Sequence, residues 1–188
     1  HWCIERSGDM FREMRRKRQQ LDEEACAEIL RTGSAGVLAV SGDAGYPYAV
    51  PLSYVYANGK LYFHCARAGH KIDAIRRSPK ASFCVIGQDA VKPLKYTTYF
   101  RSVIAFGTVR ILEDDGEKYA AVRALALKYA PMDTDAHREE AIRGDWAPLC
   151  MLEMTIEHCT GKECIELVKA REGNPADRRE TLPGTNAL

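Results

Sequence analysis

The sequence predicts a mainly β protein, a small antiparallel barrel with helices covering its open ends and sides. Three observations carry this. Residues 48–56 and 149–157 alternate side chains with a period of two. Turn signals, Gly42-Asp43-Ala44-Gly45 and Asn58-Gly59, join successive apolar runs as hairpins. Helical periodicity is confined to the start, to a short piece after the third strand and to the region after the fifth, which leaves about six strands to pair with one another.

Residues 1–20 carry no apolar period; with Met10 and Met14 as candidate natural starts, they read as an arm, and the basic run Arg15-Arg16-Lys17-Arg18 as solvated. Asp22 is placed to cap a helix whose first turn holds Glu23 and Glu24, whose buried stripe is Ala25, Cys26, Ile29 and Leu30, and which Gly33 ends. Strands follow at 36–41 and 48–56. In the second, Tyr48, Val50, Leu52, Tyr54 and Tyr56 share one face, and mid-strand Pro51 requires either a break in the ladder or an edge position. Residues 60–64 and 81–86 read as strands, 87–98 as a polar connection, and 99–112 as a long strand bent at Gly107. An amphipathic helix spans 114–129, a more polar one 133–143, and a short last strand 163–167. A polar tail follows from Lys169. The expected organisation is therefore an arm (1–20), one barrel domain (21–168) and a tail (169–188).

The chain has 188 residues and a net charge of +1, which argues against general nucleic-acid binding. No apolar run approaches the roughly 20 residues of a membrane span, and no signal-peptide pattern is seen, so a cytoplasmic protein without a membrane partner is expected. The seven cysteines include no CxxC pair and no zinc spacing, so neither a metal centre nor a disulfide framework is expected. P-loop, GxGxxG, GxSxG and HExxH motifs are all missing. Ser53 with His64 or His70 has no hydrolase context, and His137 and His158 read as surface residues.

Chemistry concentrates in residues 60–86, KLYFHCARAGHKIDAIRRSPKASFCVI. Gly69 releases the chain into a short helix that Pro79 stops, so Arg67, His70 and Lys71 stand beside the free amides of a helix N-terminus. Oriented amides plus two or three cations make a candidate anion site, most naturally for phosphate.

The segments GYPYAVPLSYVY, LYFHCARAGHKIDAIRR, TTYFRSVIAFGTVRIL and IEHCTGKECIEL resemble the flavin-binding split-barrel superfamily named after pyridoxamine 5′-phosphate oxidase, and within it the nitroimidazole-resistance (Nim-type) flavoproteins. The likeness covers roughly 14–167. It implies a six-stranded antiparallel split barrel, a homodimer and FMN at the dimer interface. Arg67, His70 and Lys71 would hold the phosphate, and Val50, Pro51, Leu52 and Ser53 would run along the isoalloxazine, a ladder break at Pro51 freeing backbone groups for it. His64, Cys65 and Ala66 would line the ribityl side. Tyr99, Phe100 and Arg101, with Trp146, would come from the partner subunit. The implied activity is FMN-dependent reduction of a small-molecule nitro group to an amine. A flavin- or haem-binding module without turnover, with His64 and His70 as axial ligands, and an F420-dependent reductase are the alternatives. His70 matches the family's histidine beside the flavin and is the candidate catalytic residue, since a helix N-terminus suits a neutral imidazole able to relay a proton. True oxidases of vitamin B6 carry an Arg-Lys pair at this turn, so His70 counts against that substrate.

Overall fold

The computed structural model describes residues 11–173; the expected tail beyond Gly173 and the first half of the arm lie outside them. Helix α1 (Glu23–Thr32) forms as its caps dictate: the Asp22 carboxylate accepts from Ala25 N at 2.8 Å, and Gly33 N–H donates to Ile29 O. Its apolar stripe packs on the sheet through Cys26, Ile29 and Leu30.

Eight strands make one antiparallel sheet, against the six expected: β1 (Gln20–Leu21), β2 (Ala35–Ser41), β3 (Pro47–Ser53), β4 (Val55–Ala57), β5 (Lys60–Ala66), β6 (Lys80–Lys92), β7 (Thr97–Ile111) and β8 (Leu149–Glu163). Their order is β3-β2-β6-β7-β8-β5-β4, with β1 added on β8. The count rises because the strand expected at 48–56 splits at Tyr54 and because β1 forms. The sheet is not closed by hydrogen bonds. Its two end strands, β3 and β4, are nevertheless consecutive in the chain, joined through Tyr54. The sheet must therefore curl until its edges meet at that residue, which is fully buried. Tyr54 stacks edge-on against Phe83, and Phe83 against Phe63, at 4.9 Å each, which makes the centre of the core.

Pro51 does not break the ladder. The β2–β3 register runs unbroken through Val37↔Pro51, and β3 pairs with no other strand. The proline is tolerated because β3 is an edge, and it is the free edge, not a break, that leaves backbone groups open.

Three further expectations are corrected. The stretch 87–98 is not a loose connection: after a register shift between Ile86 and Gln88, β6 and β7 stay paired to Lys92↔Thr97, as a two-stranded arm exposing Val91, Leu94 and Tyr96. Strand β8 continues past Glu157 to Glu163. A bulge opposite Phe106/Gly107 moves the inward set from even positions (Cys150 to Ile156) to odd ones (Cys159, Gly161, Glu163), so the period-two signal stops there while the strand does not. In place of a strand at 163–167, helix α5 (Ile165–Gly173) follows.

Helices α2 (His70–Arg77), α3 (Asp115–Tyr129) and α4 (Asp135–Gly144) complete the fold. The end of α3 plugs the split at Tyr54. Lys128 Nζ donates to Gly33 O at 2.6 Å and Tyr54 O at 2.9 Å, and the Tyr129 hydroxyl accepts from Tyr54 N at 3.0 Å. Burial pushes Lys128 down to about 8 from an ordinary 10.5. Between those values the unfolded chain binds a proton that the folded chain does not, so this residue makes stability rise with pH across that window. Denaturant midpoints measured over it should climb in the native protein and flatten in Lys128→Met; parallel curves would remove Lys128 as the cause.

The basic run Arg15-Arg16-Lys17-Arg18 is exposed as expected, but the described half of the arm is not wholly solvated. The Phe11 ring stacks on His158 at 4.6 Å, so His158 is half-buried. No helix among the described residues is long and apolar enough to cross a membrane.

Candidate functional site

The site is built where α2 meets the β2–β3 turn. Gly69 has φ 125°, a conformation nearly closed to side-chain-bearing residues, although a Cβ there would have open space. That backbone turn starts α2. The amides of Ile72 and Asp73 both donate back to Gly69 O, at 2.9 and 3.1 Å, while those of His70 and Lys71 find no main-chain acceptor among the described residues.

The cations around this N-terminus differ in what they already hold. Arg77 is bound to Asp43 Oδ1 at 2.7 Å. Arg67 Nη1 donates to Ala147 O at 3.0 Å. Lys71 has no ion pair with any described carboxylate, which makes it the available charge at the helix mouth. The His70 ring packs on Tyr48, with centroids 4.1 Å apart, and its Nε2 lies 3.5 Å from Asp43 Oδ2. Sequence reasoning missed Asp43 and the role of Tyr48. Asp43 sits in a stretch read only as a turn, and no local signal tells which helix a turn will face.

Of the other expected residues, Val50 and Leu52 turn half-buried sides toward the core, while Pro51 and Ser53 are exposed along the free edge of β3. His64 and Ala66 are exposed on β5. No histidine hydrogen-bonds Ser53 among the described residues, which leaves the nucleophile reading without a base. Cys65 lies opposite Cys150 across the β5–β8 ladder. Burial above all, with the neighbouring Cys150 thiol, pushes Cys65 up to about 12 against the pull of Lys71, so it stands as a thiol. Trp146 precedes the carbonyl that holds Arg67, and Lys118 lies 4.0 Å over its ring. The structure thus places Trp146 beside the Arg67 of its own chain.

Tyr99 and Arg101 are not brought to this group. Ala66 pairs with Leu149 and Arg101 with Glu163, at opposite ends of the 15-residue β8, up to about 45 Å of strand contour apart. Arg101 Nε donates to Glu163 Oε2 at 3.1 Å, and Arg171 reaches the other oxygen of that fully buried carboxylate at 3.0 Å. Among the described residues no cluster of His, Cys, Asp and Glu could hold a metal ion.

A family model described as pyridoxamine 5′-phosphate oxidase matches residues 22–163, from the α1 cap to the last residue of β8. The chain belongs to the pyridoxamine 5′-phosphate oxidase family. Comparison with curated proteins finds no match. Among solved structures, a candidate 5-nitroimidazole antibiotic resistance protein of Bacteroides thetaiotaomicron is 22% identical, with TM-score 0.64 over 77% of this chain and 86% of that one. An FAD-binding protein of Mesorhizobium loti is 25% identical (TM-score 0.57, 78% and 97%), and an FAD and haem binding protein of Mycobacterium smegmatis is 20% identical (TM-score 0.63, 81% and 80%). This member of the family shares its split-barrel architecture with proteins described as flavin-binding.

Proposed function

We propose that the protein is a flavin-dependent oxidoreductase that holds FMN between two copies of the chain and reduces nitro compounds of the nitroimidazole type to amines. The observation that carries this is Lys71: an unneutralised cation beside two open amides at the start of α2, against the free edge of β3. A single cradle of this kind suits one terminal phosphate. The residues therefore fit FMN, with Arg67, Lys71 and the α2 amides toward phosphate and the open edge of β3 toward the ring. The bound flavin supplies the electron transfer. The side chains bind and orient it, and His70 exchanges a proton through Nε2, which Asp43 faces.

The absorption spectrum of the purified protein, with mass analysis of the extracted cofactor, tests this first. FMN is expected; haem, deazaflavin or FAD in its place would overturn the assignment. Nicotinamide oxidation that depends on a nitroimidazole then separates an enzyme from a carrier. In His70→Gln, FMN should remain bound while nitro reduction slows, because glutamine keeps hydrogen bonding without proton exchange. Turnover at the native rate would reduce His70 to an anchoring residue.

Two features support a homodimer. Tyr99 and Arg101 can reach an Arg67/Lys71 cradle only from a second copy. A row of ladder neighbours, Pro51, Val37, Cys84 and Ile104, also crosses the sheet's outer face with Val37 and Ile104 exposed, and Ile86 stands exposed on β6 near it. Sedimentation should give a dimer at micromolar concentration; a monomer with cofactor bound would rule out the two-chain site.

A further inference from the structure

We propose that Cys65 and Cys150 are an oxidisable pair, a modification site that hydroperoxides close into an intrachain disulfide. The inference is independent of the flavin reading. The two residues are direct partners in the β5–β8 register, Cys150 within the core and Cys65 packed against it. Directly opposed residues of antiparallel strands have Cα atoms about 4.5–5.5 Å apart, inside the roughly 4.4–6.8 Å a disulfide spans. Their thiols are close enough for Cys150 to help push the Cys65 thiol up. Both are free, and the bridge needs side-chain rotation only, since the ladder already fixes the backbones.

A second thiol contact, Cys26 with Cys159, marks the contrast. It joins helix α1 to β8 with both residues buried, at 3% and 8% exposure, whereas in the proposed pair only Cys150, at 5%, is buried. Cys65 is half-buried at the end of its strand, so a dissolved peroxide can reach its sulfur. Because burial holds it as a thiol, the attacking thiolate is a small fraction and the reaction should quicken as pH rises.

The Cys65 thiolate attacks one oxygen of hydrogen peroxide, the O–O bond breaks, and hydroxide leaves with the thiol proton as water. The Cys150 sulfur then displaces hydroxyl from the resulting sulfenic acid, forming S–S and releasing a second water. Two thiols are oxidised by two electrons while the peroxide is reduced to two waters. The bridge lies just before Arg67, so it fixes the strand end from which the anion-binding turn springs.

The test treats the reduced full chain with hydrogen peroxide, alkylates it under denaturing conditions and maps its peptides by mass. The expected result is the loss of two alkylatable thiols per chain and one linked peptide pair joining Cys65 to Cys150, reversed by dithiothreitol. The unfolding midpoint should rise by about 5–10 °C. In Cys150→Ala, Cys65 should stop at a sulfenic acid that dimedone traps. A Cys26–Cys159 link in its place, a link between chains, or sulfinate at Cys65 of the native chain without any bridge would each overturn the proposal.

Discussion

Replacing Lys71 with alanine is expected to weaken flavin binding by about one to two decades while leaving the unfolding midpoint nearly unchanged. A charge-assisted hydrogen bond to phosphate contributes roughly 1.5–3 kcal/mol, and each 1.4 kcal/mol is about tenfold in affinity. Lys71 is the cation for which this loss should be full, because Arg77 and Arg67 are already engaged with Asp43 and Ala147. Arg76, one turn further along α2 and exposed, serves as the control: its alanine variant should lose less. Fluorescence titration of FMN into the apo proteins reads the difference, and equal affinity in the native protein and Lys71→Ala would remove the anchoring role.

Gly107→Ala should damage the fold far more than the site. A Cβ at Gly107 would lie 1.9 Å from Thr155 O and 2.9 Å from its carbonyl carbon, both main-chain atoms that no rotamer can move aside. Gly107 sits at the bulge where β7 and β8 change register, so relief means shifting one of the two longest ladders in the sheet. We expect a loss of about 3 kcal/mol, at the upper end for overpacking, which for a domain of this size is roughly 6–12 °C in Tm. Urea unfolding measures it directly. A loss below about 1 kcal/mol would mean that the bulge yields freely and that the close approach is not what selects glycine.

Much of this molecule was legible because its signals are local. The Asp22 cap, the Asn58-Gly59 hairpin, the α2 start at Gly69 and the alternation of β3 each arise from a few neighbouring residues, and each appears where the sequence puts it. What failed depends on partners far along the chain. The bulge at Glu157 hid the second half of β8, because a parity change looks like the end of a strand. The β6–β7 arm was missed because polar residues that pair with each other outside the core carry no burial pattern. Pro51 was readable as an edge or a break, and only the missing neighbour beyond β3 decides between them. In the site, Arg67, His70 and Lys71 were found as one turn. Asp43 reaches them from a different hairpin, and Tyr99 and Arg101 stay at the far end of β8.

The position of β8 in the sheet also sets an order of events for a growing polypeptide. β5 lies between β4, a neighbour of three residues, and β8; β7 has β8 on one side, and β1 has no other partner. The pairing Lys60↔Thr155 closes a loop of most of the domain, and Gln20↔Lys162 a longer one. Such contacts form late, because their chain entropy is lost before their hydrogen bonds are gained. Before β8 emerges, the chain can form the β3-β2-β6-β7 part of the sheet and, separately, the β4–β5 hairpin, but nothing pairs the one with the other. The curled sheet, and with it the strand end that carries Arg67, has to wait for the segment around residues 149–163.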